Sequence, residues 1–108
     1  MDDEQRVTLW RDEELNVDAR VTEGGELILA GHDVRDLSAF GISATEYTYE
    51  LTVTADDVPT VIEALGGTPS TADVLDLLQA HREVIIRVGE LTWLRRHGIE
   101  PGLRSRAQ

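Results

Sequence analysis

The chain contains no cysteine. That excludes disulfides, thiolate nucleophiles and cysteine-held zinc or iron–sulfur centres, and it fits a reducing compartment. It contains no lysine either, so all ten basic residues are arginine. No stretch approaches the ~20 consecutive apolar residues a membrane span needs. The start, Met1-Asp2-Asp3-Glu4, is acidic where a secretory leader is basic. These absences predict a cytoplasmic protein without a membrane partner.

What is abundant is acid. The sequence has 21 Asp and Glu against 10 Arg, a net charge of −11 over 108 residues. The excess is uneven: residues 1–76 hold 18 acids and 4 Arg (−14), and residues 77–108 hold 3 acids and 6 Arg (+3). A hydrophobic fraction of 41% is ordinary for a globular chain, so the acid is a surface property and does not mark disorder. The length predicts a single domain over 1–108, with 1–5 and 102–108 frayed. Arginine in place of lysine, with abundant Ala, Gly, Val, Leu and Asp, suggests a GC-rich, actinobacterial kind of source.

Apolar periodicity predicts strands in the first half. Val7 and Leu9 alternate with Arg6, Thr8 and Trp10, and Asp12-Glu13-Glu14 follows as a polar turn. Leu15, Val17, Ala19 and Val21 alternate with Asn16, Asp18, Arg20 and Thr22. Gly24-Gly25 marks a hairpin, because tight turns need positive φ. Leu27-Ile28-Leu29-Ala30 is a third strand, read as ending at Gly31. Tyr47, Tyr49, Leu51 and Val53, alternating with threonines and Glu50, form the fourth. Val34, Leu37 and Phe40 allow a short helix between the last two. On this alternation the wet face of the sheet carries Thr8, Trp10, Asn16, Asp18, Arg20, Ile28, Thr48, Glu50 and Thr52. Trp10 and Ile28 are its anomalies, since both parities of one strand cannot face the core.

The second half reads as helices. Asp56 or Asp57 opens the first, with Pro59 in its first turn, a stripe of Val58, Val61, Ile62 and Leu65, and Gly66-Gly67 at its end. Ser70 or Thr71 caps the second, with Asp73 in its first turn and Val74, Leu75, Leu77 and Leu78 as its stripe. From Val84 to Leu94 a helix is expected, broken near Arg82 or Gly89, with Val84–Val88 open to a strand reading. On one continuous wheel Val84, Val88 and Leu91 oppose Ile86 and Trp93. Leu94-Arg95-Arg96-His97-Gly98-Ile99 has the basic last turn, glycine and following apolar residue of a Schellman stop. The expected fold is α+β: an antiparallel sheet of about four strands, a meander from the N-terminal half, with two to three C-terminal helices packed on one face.

Several of these segments together carry a resemblance. They are Leu9-Trp10-Arg11-Asp12-Glu13, then Glu46 to Val53 running into Val58-Pro59 and Ala64-Leu65-Gly66-Gly67, then Asp73 to Leu78, and finally Leu94 to Pro101. In that order the chain resembles a group of small acidic actinobacterial proteins of unassigned function, from about residue 7 to 100. In that group the Gly-Ile step is usually followed by aromatic residues; here Pro101-Gly102-Leu103 stands there. The resemblance implies the fold and supplies no catalytic residue.

Catalytic chemistry has no anchor in the residues. His32, His81 and His97 offer no i, i+4 pair. His32-Asp33 with Asp36 has ligand atoms, and the same spacing suits a polar turn. No serine sits in a Gly-x-Ser-x-Gly elbow. Asp56-Asp57 is the obvious carboxylate pair and has a helix start to serve. Gly24-Gly25 and Gly66-Gly67 open no helix, so neither cradles phosphate. The expectation is no enzyme, no cofactor, no metal and no nucleic acid, whose phosphates an acidic body repels.

What remains is binding. An acidic surface gives fast, salt-sensitive association with a basic protein, as in immunity proteins or antitoxins. The expected partner-binding patch is Trp10, Asp12, Glu13, Glu14, Asp18 and Glu50. The alternative is a structural or regulatory homo-oligomer, a homodimer for instance, joined through Ile86 and Trp93 or by sheet edges. A third reading is a small ligand-binding domain or enzyme with a pocket between sheet and helices, using Tyr47, Tyr49 and His81.

Overall fold

The computed structural model describes residues 5–34 and 46–107. The short helix expected around Val34, Leu37 and Phe40 falls largely outside them. The described chain runs β1 (Gln5–Arg11), β2 (Leu15–Val21), β3 (Leu27–Asp33), β4 (Tyr47–Val53), α1 (Val58–Ala64), α2 (Val74–Ala80), α3 (Arg82–Val88), α4 (Glu90–Arg96) and β5 (Gly102–Ala107). The class is α+β, with one sheet in the order β1-β2-β3-β4-β5, every neighbouring pair antiparallel.

Residues 102–107 correct the expectation of a frayed end. Pro101 stops the helical run, and the chain returns as β5 along β4, pairing Thr52 with Gly102 through to Tyr47 with Ala107. The other expected fray is narrowed in the same way: Gln5 already pairs with Val21.

Register assigns the faces. Val7, Ala19, Leu29, Leu51 and Leu103 form one row across the sheet, and Val21, Leu27 and Val53 form another. These point to the helices. Leu9, Val17, Ala19, Leu27, Leu29, Leu51 and Val53 join Val61, Ile62, Val74, Leu75, Leu78, Ile85, Trp93, Leu94 and Ile99 in one buried cluster. Each fully buried Leu or Val contributes about 1.5–3 kcal/mol, so this layer contact holds the fold together.

β1 carries a bulge. Thr8 pairs with Asp18, and the next paired residue, Trp10, faces Val17. The extra residue brings both Leu9 and Trp10 to the covered side, where Trp10 packs against the core half-buried. This resolves the Trp10 anomaly: it does not belong to the wet face. Ile28 does lie on that face, opposite Arg20 and Thr52, and is buried there nonetheless.

The helices follow the expected punctuation with two shifts. Pro59 falls in the first turn of α1. At its end the N–H of Gly67 donates to the Ile62 carbonyl and that of Gly66 to Glu63, a Schellman closure. α2 is capped by Asp73, whose carboxylate accepts from the Leu75 N–H at 2.9 Å, and not by Ser70 or Thr71. The stretch from Val84 to Val88 is helical, and the breaks fall at His81 and Gly89. Gly89 has φ +95°, a conformation L side chains rarely adopt, so α4 starts in a new direction. A single wheel across Val84 to Leu94 therefore misassigns faces. Val84 is 55% exposed and Trp93 only 7%. α4 ends as expected, with Ile99 N–H donating to the Leu94 carbonyl and Gly98 N–H to Arg95.

Candidate functional site

The chemistry concentrates where β4 passes under the start of α4. Tyr49 lies on the covered side of β4, beside Gly31 of β3. Its ring lies across that glycine: a Cβ on residue 31 would come within 2.0 Å of the Tyr49 Cζ. The glycine that reads as the end of β3 is in fact in mid-strand, as the place where a tyrosine crosses its neighbour. From there the Tyr49 hydroxyl donates to the carboxylate of Glu90, with Oε1 at 2.9 Å and Oε2 at 3.0 Å.

Glu90 opens α4, where an acid in the first turn is ordinary. Its burial is not: it is 7% exposed. Among the described residues no arginine or histidine pairs with it. Burial pushes its carboxyl above the usual 4.5, partly offset by its own backbone N–H and by the Tyr49 hydroxyl. Burial, and next the Glu90 charge, push the Tyr49 phenol upward as well. Tyr49 therefore stays a donor throughout the physiological range.

Beside this pair is a cavity of about 200 Å³, bounded by Tyr47, Tyr49, Leu51, Glu90, Leu91 and Leu103. The Tyr47 and Tyr49 rings are 5.9 Å apart at 32°. Tyr47 and Leu103, at 42% and 54% exposed, form its open side. So a space between sheet and helices does exist, and it uses Tyr47 and Tyr49. His81 is elsewhere, exposed at the α2–α3 junction.

The six residues of the expected patch do not come together. Asp12 organises the β1–β2 turn: Oδ2 accepts from the Trp10 indole at 2.7 Å, and Oδ1 from the N–H groups of Glu14 and Leu15. Those bonds, the indole's foremost, hold its carboxyl below the usual carboxylate range. Glu13 and Glu14 are exposed in the same turn. Asp18 and Glu50 lie apart from it, on the open face.

That open face is not acidic. Pairing places Arg6 with Arg20, Arg11 with Asn16, Glu50 with Arg104 and Thr48 with Arg106 on it, together with His32. On the strands it holds Arg6, Arg11, Arg20, Arg104 and Arg106, half of the chain's ten arginines, against Asp18 and Glu50. Glu50 is engaged by Arg20 at 3.4 Å. A shallow concavity of about 480 Å³ there includes His32, Thr48, Arg104 and Arg106.

Three expectations can be placed. His32 and Asp33 are adjacent in β3 and so point to opposite faces; Asp36 lies outside the described residues. No cluster of three or more His, Asp or Glu suited to a metal occurs among the described residues. Trp93 is in the core with its ring 4.4 Å from that of His97, so it cannot head an interface with Ile86. No described helix is long and apolar enough to cross a membrane. Comparison with known protein families, characterised proteins and solved structures found no match.

Glu90 was missed at the sequence level. The available signal was an acid next to a helix-breaking glycine inside an otherwise apolar run, Val88-Gly89-Glu90-Leu91.

Proposed function

We propose that the chain is a non-enzymatic acidic binding protein that neutralises or regulates a basic partner protein, in the manner of an immunity protein or antitoxin. The observation that supports this is the convergence of carboxylates from three chain segments at one end of the sheet. The β1–β2 turn brings Asp12, Glu13 and Glu14. The N–H of Val34 donates to the Glu14 carbonyl at 2.7 Å, which ties the end of β3 and Asp33 to that turn. Pairing of Asp33 with Tyr47 adds Glu46 from the start of β4. Against these, among the described residues, the same end presents Arg11 and His32, the latter 3.8 Å from Glu46.

The patch that follows is narrower than the sequence suggested. Glu13, Glu14 and Glu46 carry it, with Asp12 rigidifying the turn. Asp18 and Glu50 sit among arginines and add little field. A concentrated negative end accelerates encounter with a positive surface and makes binding fall steeply with salt.

The test is capture of a partner from a lysate of the source organism on the immobilised full chain. A basic protein retained at low salt and released at high salt is expected. The doubly reversed variant Glu13→Arg/Glu14→Arg should lower its association rate by about tenfold or more. Retention indifferent to both salt and charge reversal would refute a charge-driven role.

A further inference from the structure

We propose that the cavity between Tyr47, Tyr49 and Glu90 is a binding site for an alkylammonium group. The proposal is independent of any docking at the acidic end and stands if that reading fails.

A buried carboxylate is costly unless it is well partnered. Glu90 is 7% exposed and its side-chain donor is one neutral hydroxyl, shared between both oxygens. A carboxylate has about four acceptor positions. One phenol proton and the residue's own backbone N–H leave about half of that capacity unused, in a place water barely reaches. If the contact served only to seat α4 on the sheet, a glutamine would accept the same hydrogen bond without a charge to desolvate. The charge itself has a use when a cation comes to it.

The rest of the cavity suits such a cation. Two tyrosine rings 5.9 Å apart line the cavity, and aromatic rings attract ammonium groups. Leu51, Leu91 and Leu103 supply apolar wall for an alkyl arm. The volume of about 200 Å³ lies below the ~300 Å³ at which drug-sized sites begin, so the occupant is a small group. The backbone is shaped around the arrangement at two points. Gly31 leaves room for the Tyr49 ring, and Gly89, at φ +95°, turns the chain so that Glu90 enters the layer contact.

An ammonium can come from a free amine or from a lysine side chain on another protein. The experiment is an amide NMR titration of the full chain with n-butylammonium, n-butanol and Nα-acetyl-lysine methylamide. Butylammonium should shift the amides of Gly89, Leu91 and Thr92 saturably, with Kd on the order of 1–10 mM for so few atoms. Butanol, with the same arm and no charge, should bind about tenfold more weakly or worse. Glu90→Gln should lose that discrimination while butanol binding stays as it was. Tyr47→Ala, at the exposed rim where folding is not at risk, should weaken butylammonium about two- to fivefold. Lysine-derivative binding equal to that of the free amine assigns the source to a protein side chain; binding of the free amine alone assigns it to a small molecule. Equal binding of butanol and butylammonium, unchanged discrimination in Glu90→Gln, or no response at those amides with any ligand overturns the proposal.

Discussion

The two faces of one sheet follow opposite chemistry. On the covered face Leu29, Leu51 and Ala19 meet the helices, and among the described residues the sole buried charged group there is Glu90 under Tyr49. On the open face, one residue along each strand, stand arginines: Arg20 next to Ala19, Arg104 next to Leu103. The alternation of a β-strand makes this separation, because outside the β1 bulge neighbouring residues point to opposite faces. Net charge therefore describes neither face. A protein of −11 carries its acids at the turns and helix starts and keeps a basic face on its sheet.

The contrast is sharpest between two adjacent residues of β3. Gly31→Ala would set a methyl 2.0 Å from the Tyr49 Cζ and evict the ring, leaving Glu90 without its donor. Chemical denaturation should show a loss of about 3 kcal/mol. Ala30→Val, one position earlier and facing the open side, should stay within about 0.5 kcal/mol of the parent. Equal costs at both positions would abolish the distinction between the faces.

Tyr49→Phe tests the hydrogen bond without moving the ring. It should cost about 1–2 kcal/mol at neutral pH. The difference should shrink in acid, because a protonated Glu90 needs the donor less.

Glu90→Gln tests the charge. Glu90 is raised in the fold above its ordinary 4.5. Below 4.5 the carboxyl is protonated in both states, and its contribution is fully present. As pH rises through the raised folded value, the unfolded chain has already released its proton and stability falls. Across this window the denaturation midpoint of the parent should fall relative to that of Glu90→Gln as pH rises, since the other carboxylates are common to both.

The smallest effect belongs to the open face. Arg104→Glu/Arg106→Glu should leave the unfolding midpoint in place, since both side chains are exposed. It should nonetheless reduce retention on a cation exchanger at low salt, which the parent owes to this face despite its net charge. Unaltered retention would mean that these arginines do not act as one surface.

The covered face was largely legible in the sequence, and the open one was not. Strands β1 to β4, the glycine stops after α1 and α4 and Pro59 all announce themselves by period or by turn chemistry. β5 does not, because it is an edge strand with one large apolar residue, Leu103, itself 54% exposed. Without β5 the basic face could not be seen, because Arg104 and Arg106 fall in a segment expected to fray. Trp10 was misplaced for a local reason, since a bulge at Leu9 shifts parity by one and no residue there advertises it. Tyr47 and Tyr49 were recognisable as pocket candidates. Their carboxylate partner was not, because it arrives from 41 residues away through a break in the helical run whose direction only the tertiary fold sets.

The most direct test of the Gly31–Tyr49–Glu90 arrangement is a ¹³C NMR titration of the glutamate side-chain carboxyls. Glu90 should titrate above the ordinary 4.5, and should rise further in Tyr49→Phe as the donor that lowers it is removed. A Glu90 that titrates at or below 4.5, unchanged by Tyr49→Phe, would mean that the carboxylate is not buried beneath the tyrosine.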